Sequence, residues 1–213
     1  TFIVESFVDE LAARAGADPI AFRIAHLKDA RQIAVLRAVG EAADWQARSS
    51  PSHGRSSGVA RGRGVAFATR GGTIVATVAE VAVELTTGTV RVTRLTCAHD
   101  CGLIVNPRSL RGTIEANLIQ SLSRTLYEQV TFDESTVTSR DWATYPVVRT
   151  PDLPERVDVI LLGHTDLPPY GAGEPSSRPT AAAVANAVFD ATGVRVRHAP
   201  LTAENVRAAF AKR

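Results

Sequence analysis

Between residues 64 and 99 the hydrophobic pattern changes from the period of a helix to that of a strand, and this change restricts the folds open to the chain. The runs "GVAFAT", "TIVATVAEVAVEL" and "TVRVTRLTCAH" are rich in β-branched and small apolar residues, which suit a pleated, half-buried surface. Thr86-Thr87-Gly88, between the last two runs, predicts a hairpin turn. Upstream the period is helical. Residues 2–15 predict an amphipathic helix with Phe7, Val8 and Leu11 on one face and Gly16 as its stop. Asp18-Pro19 predicts the cap and first turn of a second helix to Leu27, and a third runs from about Arg31 to Ala43.

Downstream the order is mixed. Asn106-Pro107 opens a long helix to about Gln129, and short strands are predicted near 130–138 and 157–163. A helix from about Pro175 to Ala191, a strand over "VRVRHA" and a terminal helix from Thr202 follow; Asn205 stands where a capping box carries Glu. Such an order predicts an α+β fold with mixed sheets and packed helices rather than a regular βαβ sheet. Three regions are expected: a helical segment over 1–45, a linker or surface loop over 46–64 ("QARSSPSHGRSSGVARGRG"), and an α+β domain over 65–213.

Composition narrows the function. A net charge of +2 gives no field for nucleic acid, and the "ARGRG" of the linker lacks the aromatic platforms that single strands stack on. No apolar run approaches the roughly 20 residues of a membrane span. The chain opens on Thr1 and contains no methionine, which predicts a processed chain or part of a longer one.

Three clusters carry candidate chemistry. Cys97, His99 and Cys101 share one face of a strand, but a fourth ligand and a second spaced pair are missing, so buried thiols are expected rather than a metal site. On the long helix, Leu118, Ile119, Leu122 and Leu126 make an apolar stripe that Glu115 enters, with Arg111 one turn earlier as its expected partner. Thr113, Asn117, Gln120 and Arg124 form an opposing polar stripe, either a solvent face or the wall of a cleft. The third cluster is "YGAGEPSSRPTAAAVANAVFDATG". Gly171 and Gly173 permit positive φ and close approach to a ligand, Pro175 suits the first helical position, and the apolar helix behind predicts a buried Glu174 facing a cleft. A helix-capping carboxylate is the competing reading, and a phosphate-binding glycine loop a third.

"GAGEPSSRPTAAAVANAVFDATGVRVRHAPLT" resembles the C-terminal signature of the xanthine dehydrogenase/aldehyde oxidase molybdenum hydroxylases, of the isoquinoline 1-oxidoreductase β-subunit type. "DCGLIVNPRSLRGTIEANLIQSLSRTLYEQVTFDESTVTSRDWATYP" and "VESFVDELAARAGADPIAFRIAHL" resemble the same branch. The resemblance implies part of the second molybdopterin-binding domain, with Glu174 as the general base and Gly171, Gly173, Gly112, Glu115 and Gln120 as cofactor-binding residues. It implies molybdenum–molybdopterin in the cytosine dinucleotide form, and hydroxylation of an aldehyde or N-heterocyclic carbon with oxygen from water. Electrons would leave through 2Fe-2S clusters on a small-subunit partner. An N-terminal half or companion large-subunit chain would complete the site, in a bacterial cytoplasm or periplasm. Thr113 stands where the family's helix carries Gln, and Ser121 where it carries Gly. A non-catalytic scaffold or assembly subunit of the same fold is the alternative.

Overall fold

The β-branched runs pair in sequence order. A computed structural model describes residues 1–52, 54–56 and 58–212; His53 and Ser57 of the expected linker lie outside the described residues. The sheet holds β1 (Gly54–Ser56), β2 (Val59–Arg70), β3 (Thr73–Glu84), β4 (Val90–Asp100) and β5 (Arg156–Leu162), in that spatial order. The first three pairings are antiparallel, and β5 returns parallel to β4. A parallel return needs a crossover, and α4 (Pro107–Leu126) lies within it.

Helices cover both faces. On one side α3 (Ala30–Ala42) packs Val35, Leu36 and Val39 against Val65, Ile74, Ala76, Val78 and Ala98. On the other, α4 and α6 (Thr180–Thr192) pack against Ala66, Val75, Ala79, Val92 and Leu95. The α6–β2 contact is unusually close. A Cβ at Gly62 would sit 2.3 Å from the Ala187 carbonyl oxygen, and one at Gly64 would sit 2.2 Å from the Ala187 nitrogen. Glycine is required at both positions because backbone, not a movable side chain, occupies the space.

That contact accounts for a difference from the sequence expectation. Residues 59–64 are strand rather than linker; their Gly/Arg composition hides the alternation, since two of the three inward positions, Gly62 and Gly64, are glycines and the third is Ala60. The segment before them is anchored too. The buried Asp190 of α6 accepts from Arg48 Nη2 (2.6 Å), Ser50 Oγ (3.0 Å), Ser52 N (3.0 Å), Ser52 Oγ (3.1 Å) and Arg63 N (2.9 Å).

Three other elements differ. The expected strand at 194–199 has no ladder, and near 130–138 only a Phe132–Val137 bridge forms. The expected 175–191 helix is two, α5 (Gly173–Ser177) and α6, separated at Arg178-Pro179, because a proline removes a helical donor and crowds the preceding turn.

The first helix, α1 (Phe2–Arg14), is turned opposite to its apolar pattern: Glu5, Asp9 and Ala12 are buried, while Ile3, Val4, Phe7 and Leu11 are exposed. Its acids go inward because cations meet them. Arg23 of α2 (Pro19–Ala25) binds Glu5 at 2.9 Å, and Arg195 binds Asp9 at 2.5 Å. Among the described residues no helix is long and apolar enough to cross a membrane. The last helix, α7 (Ala203–Ala211), is capped by Thr202, whose hydroxyl accepts from Asn205 N.

Gly64→Ala should lower stability by at least about 1–3 kcal/mol, the range for overpacking. Gly112→Ala, where an added Cβ meets nothing within 4 Å, should be neutral or stabilising by up to about 1 kcal/mol. Urea unfolding of both variants checks the pair, and equal effects would contradict the close α6–β2 approach.

Candidate functional site

Residues 170–174 cross one end of the sheet and are held by groups from three strands or their ends. Thr73 Oγ1, opening β3, donates to the Gly171 carbonyl at 2.6 Å. His99 of β4 lies with Nε2 3.2 Å from the Ala172 carbonyl. A carbonyl only accepts, so Nε2 carries the proton. Burial holds this imidazole below the usual histidine range, outweighing the Ala172 hydrogen bond and the neighbouring Asp100 charge, and keeps it neutral. Tyr170 N donates to the Cys101 carbonyl. Tyr170's ring fills the space a side chain would need at Gly72, where an added Cβ would lie 2.5 Å away.

Asp100 ties these supports together. Its buried carboxylate takes two hydrogen bonds from Arg31 (Nε to Oδ2, 3.0 Å; Nη2 to Oδ1, 2.7 Å), one from Gly102 N (3.0 Å), and lies 2.9 Å from His164 Nε2. Arg31 Nη2 also donates to the Gly72 carbonyl. Burial alone would raise the Asp100 carboxyl, but Arg31, the Gly102 amide and the neighbouring charges outweigh it and hold it below the usual range.

Glu174 is the second residue of α5, with Ala172 as N-cap and Pro175 in the third position rather than the first. Its carboxylate is not buried as the sequence suggested: the side chain is 60% exposed and pairs with Arg70, itself 54% exposed, at 3.1 Å from Nε to Oε1. The buried helix is α6; α5 is a separate turn set at its mouth, so burial stops at Pro175 and Ser176. The glycines also differ from expectation. Neither Gly171 nor Gly173 has positive φ. Gly173 packs close to α4, where an added Cβ would lie 3.3 Å from Asn117 Nδ2 and 3.6 Å from Thr113 Cγ2, so a side chain there would press on movable side-chain atoms rather than on backbone, whereas Gly171 faces open space.

The polar stripe of α4 is therefore divided. Thr113 and Asn117 receive α5, whereas Gly112, Glu115 and Gln120 line a separate open groove of about 600 Å³ with Ile119, Ser123, Glu128 and Val148. Its far wall is fixed by Val148 N donating to Ser123 Oγ (2.9 Å) and Tyr145 Oη to Glu128 Oε2 (2.9 Å). Glu115 borders the buried face centred on Ile114, Leu118 and Leu122. Its expected partner is engaged elsewhere: Arg111 Nη1 donates to the Val159 carbonyl.

Of the strand trio, Cys97 is buried, and burial pushes its thiol up to about 12, so it stays protonated at neutral pH. His99 serves the loop. Arg70, Thr73 and Tyr170 were not distinguished by the sequence. The signal available was Arg70-Gly71-Gly72-Thr73, a turn at the end of two long strands.

Comparison with known proteins gives consistent similarity. Residues 60–154 match the family described as molybdopterin cofactor-binding domain. The chain is 48% identical to a nicotinate dehydrogenase chain of Pseudomonas putida, across 99% of this chain and 18% of that protein. It is 34% identical to the beta chain of isoquinoline 1-oxidoreductase of Brevundimonas diminuta, across 94% of this chain and 25% of that one. Among solved structures, quinoline 2-oxidoreductase from Pseudomonas putida 86 superposes with a TM-score of 0.62 at 27% identity, covering 66% of this chain and 19% of that one. The chain thus spans about a fifth to a quarter of the length of these relatives.

Asp100→Asn should destabilise the protein at pH 7 by about 3–5 kcal/mol, as expected when one partner of a buried ion pair is removed. A depressed carboxyl contributes stability that is fully present above its unfolded pKa of about 3.9 and is lost as pH falls through the lower folded value. The gap between wild type and variant should therefore narrow as pH drops below about 4. A gap that stays constant under acid, measured by urea unfolding across pH, would contradict the assignment.

Proposed function

Because the chain belongs to the molybdopterin-binding part of the xanthine dehydrogenase/aldehyde oxidase family of molybdenum hydroxylases, we propose that it forms one wall of the cofactor and substrate site of such an enzyme. The observation that supports this most is the Glu174 loop. A carboxylate is presented outward while the backbone beneath it is tied down at Tyr170, Gly171 and Ala172, and a general base needs that kind of fixed placement.

The residues suit the pterin part of the cofactor. The groove on α4 is of a size that ligands of this class fill, and the backbone at Gly112 is open to a flat ring. A pterin edge carries N–H donors; the Glu115 and Glu128 carboxylates accept them, and the Gln120 amide offers both roles. The cytosine dinucleotide form and a 2Fe-2S partner that takes the electrons are part of this proposal.

When bound, the molybdenum centre supplies the oxidation: an oxygen from water replaces hydrogen on the substrate carbon, with release of two electrons and two protons. Glu174 takes up one of those protons. Its Oε1 is held by Arg70, and Oε2 has no partner among the described residues. Thr73 and His99 fix the loop, and Asn117 and Thr113 set its height over α4. Shielding of the carboxylate would come from the remaining length of the relatives, of which this chain covers only 18% and 25%. The substrate class proposed is an electron-poor N-heteroaromatic ring bearing a carboxylate, by similarity to the relative named for nicotinate.

Exposure of the Arg70–Glu174 pair favours one competing reading, a surface salt bridge on a non-catalytic scaffold. Glu174→Gln in the complete enzyme separates the two. A base role predicts turnover per bound molybdenum lower by at least about 10²-fold, with metal content and melting temperature near wild type. Under the scaffold reading turnover stays nearly intact, because an exposed pair contributes at most about 1 kcal/mol.

A further inference from the structure

The inward face of β2 carries Ala60, Gly62, Gly64, Ala66, Ala68 and Arg70 in alternation. Five small residues let α6 lie against the strand. The sixth, past the end of α6, is a guanidinium beside the first turn of α5. Arg70 is held there by its ladder partner Thr73, whose hydroxyl anchors the Glu174 loop. The following Gly72 is locked under Tyr170 and by Arg31. Arg70 and Glu174 are thus mounted on one rigid corner.

Only part of the guanidinium is used. Nε lies 3.1 Å from Glu174 Oε1 as an ion pair, and among the described residues Nη1 and Nη2 have no partner. An arginine presents its donors as a planar fork that matches a carboxylate through two parallel hydrogen bonds. The location matters more than the spare donors. A substrate carboxylate approaching Glu174 meets a like charge, and close like charges disfavour each other's ionised forms. A cation in contact with the base offsets that repulsion and gives the acid a place to dock.

We propose that Arg70 is the specificity residue of the site: its Nη groups bind the carboxylate of an N-heteroaromatic acid while Nε holds Glu174. This rests on the hydroxylase reading above and names the residue that would select the acid within it.

The test uses the complete, cofactor-loaded enzyme as wild type, Arg70→Gln and Arg70→Lys, after metal content and melting temperature have shown that each variant is assembled. Two substrates of one shape are compared, pyridine-3-carboxylate and pyridine-3-carboxamide. The ratio of their kcat/KM values in Arg70→Gln should fall at least about tenfold towards the amide, chiefly through KM, the scale of one charge-assisted hydrogen bond. Arg70→Lys should recover part of it, since lysine keeps the charge without the fork. An equilibrium readout without turnover accompanies this: the affinity of benzoate relative to benzamide, by calorimetry, should fall in the same order.

An unchanged acid-to-amide ratio in Arg70→Gln, in either readout, would overturn the proposal, as would equal losses for acid and amide. A wild-type enzyme that prefers the amide would also overturn it, through the substrate class. Failure of the hydroxylase reading looks different: wild type would oxidise neither pyridine, and Glu174→Gln would match it on every substrate.

Discussion

The structure depends on how closely α6 approaches β2. Gly62 and Gly64 remove the side chains that would separate helix from strand, and Asp190 at the far end of α6 gathers five donors from residues 48–63. With α6 fixed in this way, its N-terminus is fixed as well. Pro179 then ends one helix and lets α5 turn away, carrying Glu174 out from the apolar layer to the edge of the sheet. A helix resting on ordinary side chains would stand farther from the strand, and the Thr73, His99 and Cys101 anchors would no longer reach residues 170–172.

Charge organises the opposite end in the same manner. Asp100 is buried and fully engaged: its partners belong to α3, the residues just after β4 and the segment after β5, and Arg31 in turn reaches the β2–β3 turn at Gly72. It therefore joins elements far apart in sequence at the point where the loop crosses. Buried ion pairs are costly to desolvate, and here each pair has further hydrogen bonds that offset the cost. In α1 the same principle outweighs hydrophobicity: Glu5 and Asp9 go inward to Arg23 and Arg195, leaving Phe7 and Leu11 outward.

Periodicity made β3 and β4 legible, since both faces of these strands are covered by apolar neighbours. Capping chemistry did the same for α2 and α4, where Asp18 and Asn106 accept from their helices' first amides. Three features were not legible for identifiable reasons. The first half of β2 looks like a linker because its inward residues are Ala60 and two glycines, Gly62 and Gly64, whose value lies in an absent side chain. The orientation of α1 depends on arginines 18 and 186 residues away. The exposure of Glu174 depends on whether one helix or two includes residues 173–192, and the continuous apolar run after Pro179 reads as a single helix. The family resemblance pointed to the loop and the α4 helix, but it did not separate the groove lined by Gly112, Glu115 and Gln120 from the face that receives α5.

We propose that this corner, exposed in the chain by itself, is where cofactor and substrate meet in the complete enzyme. A structure of the intact complex with molybdenum bound tests it directly. The expected result places the Glu174 carboxylate within hydrogen-bond reach of the metal's ligands, directly or through one water, at about 3–6 Å, with the pterin along the Gly112–Gln120 side of α4. A Glu174 still open to solvent and remote from the metal would contradict it.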